Sequence, residues 1–219
     1  MTTLSYLDAN GGKKVPVQKK DHSKKGSPLV KTLAFVKTDY AAVIDYSALS
    51  TDRRLYLMNL KTGQVDRFFV AHGKNSGVLF GSKFSNIDMS KQSSLGLALA
   101  GDTYNGYHGR SLSLSGLEAS NSLLASRDIV MHGADYVSED FIGKFHRLGR
   151  SWGCPAVETS AINTLIAALQ NGSVIYLYHP ALMELMATNP TSQAWTNSNV
   201  LDDADFDLPG EEEDIQNKR

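Results

Sequence analysis

Three segments rich in β-branched and aromatic residues open the patterned part of the chain: residues 41–49 (AAVIDYSAL), 54–60 (RLYLMNL) and 64–73 (QVDRFFVAHG). The stretches between them, STDR and KTG, are turn formers, so the pattern predicts a meander of strands with tight connections. Strand character returns at 94–104 (SLGLALAGDTY), at 111–117 (SLSLSGL, alternating with period two) and at 128–133 (DIVMHG). Residues 158–172 (ETSAINTLIAALQNG) differ. There Ala161, Ile162, Leu165, Ile166 and Leu169 recur at helical spacing, Thr159 or Ser160 can cap the start and Gly172 can close the end. Residues 173–180 (SVIYLYHP) read as a buried strand ended by proline. The expected domain is mainly β with one clear helix, and no internal repeat is visible.

Between the third and fourth strands, residues 73–94 are dense in Gly, Ser, Asn and Lys. That is long for a loop without structure and marks a functional segment. The two ends of the chain lack hydrophobic periodicity and carry opposite charge. Residues 1–31 hold seven Lys against two Asp, and residues 201–219 hold eight acidic residues against two basic ones. Both are expected to be solvated tails. The organisation expected is therefore a basic N-terminal tail at 1–31, a domain at 32–187 and an acidic C-terminal tail at 188–219, with Trp195 the one residue able to anchor the latter.

At 219 residues with 42% hydrophobic content, the chain can bury a sizeable core. A net charge of -1 gives no field favouring nucleic acid, and no nucleic-acid module is present. No run approaches the roughly 18 apolar residues of a membrane helix, and no apolar stretch follows the charged start as an export signal requires. The single cysteine excludes an internal disulfide and any Cys-rich zinc site. No metal or cofactor is expected, and no feature sets an oligomeric state.

Two short segments can carry chemistry: VMHGAD (130–135), ending a strand, and RLGRSWGCPAV (147–157), just before the helix. Acyl transfer by a thiol needs a nucleophile, a base within reach and donors for the developing oxyanion. Cys154 can be the nucleophile and His132 its base, raising the thiolate fraction, while Gly153 leaves room for backbone N–H groups beside the sulfur. Taken singly, a free cysteine is most often a small buried hydrophobe and His132 fits a core-edge histidine. GRSWG also matches the serine-hydrolase elbow with Ser151 at its centre, but the polar, non-alternating residues 138–150 do not supply the strand that an elbow follows. A zinc deaminase needs H-x-E and a second cysteine, and both are missing. Arg150 can clamp a substrate carboxylate with its planar fork, and Trp152 can wall the site or fill core space. His72 and His108 lie in glycine-rich loops and, with Tyr104, are candidates for substrate contact.

VMHGAD together with RSWGCPAV, and with the segments AHGKNSG, QSSLG, DTYNGYHG and HGADYVSEDF in order, resembles the murein L,D-transpeptidase catalytic-domain family. The resemblance spans about residues 40–180. It implies a β-rich sandwich or barrel-like catalytic fold with at least one helix after the cysteine. The family pattern is a His-Gly pair followed by Ser/Thr-His-Gly-Cys, matched here by His132, Gly133, Ser151, Gly153 and Cys154. It implies Cys154 as nucleophile, His132 as base, the Gly133 carbonyl orienting the imidazole, and N–H groups around Gly153 and Cys154 as oxyanion hole. Trp152 replaces the motif's histidine, and Pro155-Ala156 stands where an apolar residue and then Asn or Arg are usual, so Arg150 is the candidate to replace that carboxylate contact. The partners implied are peptidoglycan stem peptides as donor and acceptor. The reaction implied is acyl transfer from a tetrapeptide stem to an amine with release of D-alanine, or hydrolysis of the same stems in an L,D-carboxypeptidase or endopeptidase. A non-catalytic wall-binding module is the third alternative. The location implied is the periplasm or cell envelope, with the export leader expected to have been trimmed.

Overall fold

The computed structural model describes residues 3–22, 24, 26–180, 182, 184, 188, 192 and 194–196. The elements, in order, are α1 (Thr3–Asn10), β1 (Lys14–Lys19), β2 (Val30–Phe35), β3 (Tyr40–Asp45), β4 (Leu55–Asn59), β5 (Val65–Phe68), β6 (Val70–Ala71), β7 (Lys83–Ser85), β8 (Gly96–Gly106), β9 (Gly109–Gly116), β10 (Val130–Ala134), α2 (Glu139–Phe145), β11 (Ala156–Glu158), α3 (Ile162–Leu169), β12 (Val174–Tyr178) and β13 (Ala194–Thr196). The protein is mainly β. None of the described helices is long and apolar enough to cross a membrane.

One nine-stranded sheet, ordered β5-β4-β3-β12-β8-β9-β10-β11-β6, carries the domain. Its two edge strands are consecutive in sequence. β5 pairs with β4 and β6 pairs with β11, with only Phe69 between them, so the expected single strand at 64–73 splits and draws the sheet into a nearly closed barrel. Buried Leu112, Leu114, Met131, Val157 and Ile175 line one face, and α3 seals it with Ile162, Leu165, Ile166 and Leu169, all buried. Each such side chain removed from water stabilises the fold by about 1.5–3 kcal/mol.

The helix expected at 158–172 forms, but neither Thr159 nor Ser160 caps it: Ala161 is the N-cap, with no side-chain hydrogen bond. Glu158 instead ends β11, which pairs in parallel with β10 and uses up the residues just before the helix. α2 arises from a segment read as irregular. Its signal is local: Ser138 accepts the Phe141 N–H at 3.2 Å, and Glu139 and Asp140 face the positive end of the helix.

Residues 3–19, expected to be part of a solvated tail, fold instead. Leu7, Val15 and Val17 join Val36, Ala41, Leu97, Leu99 and Val174 in a second apolar cluster, and β1 pairs with β2 along its length. The lysines around Val15 and Val17 mask a strand whose inward positions are apolar. Near the other end, β13 pairs with β7, placing Trp195 opposite Phe84; most of the expected acidic tail at 188–219 lies outside the described residues.

Candidate active site

β10 and β11 run parallel with His132 opposite Ala156. Counting back two residues along each strand places Cys154 beside Val130, whose N–H points at the sulfur at 3.5 Å. The sheet register itself therefore brings the two motif segments together. His132 and Cys154 line one cavity of about 780 Å³, with Trp152, His108, Tyr107, Met89, Lys91, Arg127 and Asp128 among its walls.

Three residues fix the geometry. His132 Nδ1 lies 3.0 Å from the Gly133 carbonyl, which can only accept, so Nδ1 carries the hydrogen and Nε2 is left as the proton-accepting nitrogen. Ser151 is buried. Its hydroxyl donates to the Cys154 carbonyl at 2.6 Å and accepts the Gly153 N–H at 3.1 Å, closing the turn that presents the sulfur. A hydroxyl occupied in this way is a brace for the cysteine turn. Gly153 sits at φ 119, where a Cβ would meet the Gln92 carbonyl oxygen at 2.7 Å, so only glycine lets the 85–94 loop pass so close.

Burial dominates the electrostatics. It pushes the Cys154 thiol up to about 11, against the opposing pull of the Val130 N–H and the Arg127 charge. It brings His132 down to about 4, helped by the charge of His108 and resisted by the Gly133 carbonyl. At neutral pH the pair rests as thiol and neutral imidazole, so the expected gain in thiolate from the histidine is absent in the resting site.

Other expected contact residues fall elsewhere. His72 is buried behind the site, with Nδ1 2.7 Å from Arg54 Nη2 and Nε2 3.0 Å from the Gly77 carbonyl; its backbone accepts the Ser151 N–H at 3.0 Å. It supports the cysteine turn and does not line the cavity. Arg150 is also buried, its Nη1 directed at the carbonyls of Lys74 and Gly77 at 3.4 and 3.3 Å, so its fork is turned into the 74–77 turn and away from the cavity. Tyr104 lines a neighbouring pocket of about 510 Å³ and stacks on His22 at 5.3 Å. His108 does face the cavity, stacked on His132. Trp152 walls the cavity, with the Lys91 ammonium 4.3 Å from its ring centroid.

Residues not foreseen are Arg127 and Asp128. Arg127 donates to Ser85 O, Ser94 Oγ, Ser90 Oγ and Gln92 O at 2.6–3.1 Å, tying the 85–94 loop to the strand that carries His132. Asp128 takes Lys20 at 2.7 Å and His22 at 3.1 Å, which joins the segment after β1 to the cavity rim.

A family model of the L,D-transpeptidase catalytic domain matches residues 17–178. The chain belongs to that family. The match begins inside β1, so the L,D-transpeptidase domain takes in residues expected to lie in the N-terminal tail. No curated protein matches the chain. The L,D-transpeptidase family acts on peptidoglycan peptides.

Proposed function

We propose that the protein is a peptidoglycan L,D-transpeptidase working through a thioester on Cys154. The observation that carries this reading is the β10–β11 register, which sets a histidine with a free Nε2 and the single cysteine against the same cavity. Cys154 Sγ attacks the carbonyl carbon at the L-centre of diaminopimelate in a tetrapeptide stem, while His132 Nε2 takes the thiol proton. The Gly153 N–H is already engaged by Ser151, so the Cys154 N–H is the donor assigned to the oxyanion. Collapse breaks the C–N bond, the imidazolium returns its proton to the departing amine of D-alanine, and a thioester remains. The amine of a second stem then attacks, loses its proton to His132 and regenerates the thiol, leaving a 3→3 cross-link.

A base at about 4 and a thiol at about 11 fit proton transfer concerted with attack, since neither group ionises alone at neutral pH. The site of action proposed is the periplasm or cell envelope, where such stems are found. Incubation with disaccharide-tetrapeptide tests the reading. D-Alanine release, a mass adduct on Cys154 and dimers that grow with substrate concentration are expected. Release of D-alanine with tripeptide as sole product makes the protein an L,D-carboxypeptidase, and no release from any tetrapeptide sinks the L,D-specific reading.

A further inference from the structure

The cavity is lined by two cationic side chains, Lys91 and Arg127, and by two carboxylates, Asp88 and Asp128. Three of these four can be set aside. Both Nη groups of Arg127 are committed to four acceptors in the 85–94 loop. Asp128 is paired with Lys20 and His22. Asp88 is an exposed acid on the rim and repels anions. Lys91 differs from all of them: it makes no ion pair among the described residues, and its ammonium is held over the Trp152 ring. Its backbone is left-handed at φ 55, a conformation costly for a side chain with a Cβ, and it is pinned there by the Asn75 N–H, which donates to the Lys91 carbonyl at 3.1 Å. The chain thus bends at Lys91 in the way that sets its amine beside the indole that adjoins Cys154.

We propose that Lys91, steadied by the face of Trp152, is the carboxylate-binding residue of this cavity and reads an anionic group of the peptide that Cys154 acylates. The inference rests on the peptide-substrate reading above and names the group on the protein that would give it specificity. Arg150, the residue the sequence offered for that contact, is turned into the 74–77 turn. A cation held over an aromatic face keeps outward-facing N–H groups and loses little side-chain freedom when a carboxylate arrives. The stem carries carboxylates at its terminal D-alanine and on diaminopimelate, and the chemistry recognised is the same for both.

Alkylation of Cys154 tests this without any peptidoglycan. The same thiolate attacks iodoacetate and iodoacetamide at their CH2 carbon and displaces iodide from both, but only the first reagent is an anion, so the ratio of their rates reports the local cation and cancels any change in the thiol. The full-length protein is alkylated at about pH 9, where more of the thiol is ionised than at neutral pH. The iodoacetate-to-iodoacetamide ratio should fall roughly tenfold in Lys91→Met, as for loss of one charged hydrogen bond. It should fall further in Lys91→Glu and be largely kept in Lys91→Arg. An unchanged iodoacetamide rate shows that the site has stayed folded. Equal ratios in the native protein and Lys91→Met overturn the proposal. Stems amidated at D-alanine or at diaminopimelate then identify the carboxylate, because the amidation that raises KM in the native enzyme should have no effect in Lys91→Met. If no stem is turned over at all, the transpeptidase reading fails, while the alkylation ratio still decides the role of Lys91.

Discussion

The imidazole of His108 lies against that of His132, with ring centroids 4.1 Å apart and planes 16° apart. The stack covers one face of the proposed base, and the charge of His108 opposes protonation of its neighbour. His108→Ala should therefore wet that face and raise the His132 value from about 4 towards its ordinary 6.5. A base must be neutral to accept a proton, so the acid limb of kcat/KM should move to higher pH in the variant. His108→Phe keeps the cover without the charge and should shift it less. Superimposable pH profiles for all three proteins would separate His108 from the base.

Cys154 and Ser151 occupy the same turn with different duties. Cys154→Ala should abolish turnover and leave the fold intact, because the lost sulfur is small. Ser151→Ala removes the bond to the Cys154 carbonyl at 2.6 Å and the acceptor of the Gly153 N–H at 3.1 Å. It should cost about 1–3 kcal/mol of stability and reduce turnover without ending it. Thermal melts and single-turnover assays on both variants separate nucleophile from brace, and full loss in Ser151→Ala with activity kept in Cys154→Ala would reverse the roles.

Gly153→Ala tests the close passage of the 85–94 loop. The new Cβ would meet a carbonyl at 2.7 Å in a backbone conformation that L residues rarely adopt. A destabilisation of about 1–3 kcal/mol is expected from strain, together with reduced alkylation of Cys154 as the loop is pushed away. Native stability in Gly153→Ala would show that the turn relaxes freely.

The meeting of His132 and Cys154 at one cavity was legible in the sequence because each motif is local and strand pairing does the rest: VMHG and SWGC needed only adjacent parallel strands to meet. The split at Phe69 was not legible, since a continuous apolar run reads the same whether or not it turns the corner of a barrel. Nor does sequence say which way an isolated polar side chain points. His72 lies in a glycine-rich segment and Arg150 adjoins the cysteine turn along the chain, yet their side chains turn to Gly77 and the 74–77 turn. Lys91 sits in the segment whose length alone had marked it as functional.

Two buried histidines set a pH dependence of stability. His72 is pulled well below 6.5 by burial and by Arg54, and His132 is brought to about 4 by burial and by His108. In the folded state both bind fewer protons than in the unfolded chain, so stability rises with pH wherever only the unfolded state is protonated. Both contributions are complete above about 6.5; that of His132 is lost as pH falls towards 4, and that of His72 also falls as the unfolded chain takes up protons below about 6.5. Urea midpoints should drop between pH 7 and pH 4.5, and His72→Gln should flatten that slope if it folds. An unchanged slope in His72→Gln, beside a flattened one in His132→Gln, would assign the effect to His132 alone.

The N-terminal segment gives the last prediction, because the structure reverses what its charge pattern suggests. Leu7, Val15 and Val17 are buried against the outer face of the sheet, and Ser115 Oγ donates to the Gln18 carbonyl at 2.8 Å. Beyond β1, Lys20 and His22 converge on Asp128, whose backbone carbonyl lies 3.8 Å from the sulfur of Cys154. Deleting residues 1–31 removes these three buried side chains and uncovers Val36, Ala41, Leu97, Leu99 and Val174 beneath them, a loss of several kcal/mol at about 1.5–3 kcal/mol for each side chain removed. It also leaves Asp128 at the cavity rim without either partner. Melting temperature and turnover should therefore fall together. The paired substitution Lys20→Met with His22→Gln spares the apolar contacts, so it should keep most of the stability while lowering the rate. If the truncated protein melts and turns over like the full chain, the helix and strand at residues 3–19 contribute nothing to the domain, and the link from β1 through Asp128 to Cys154 is not functional.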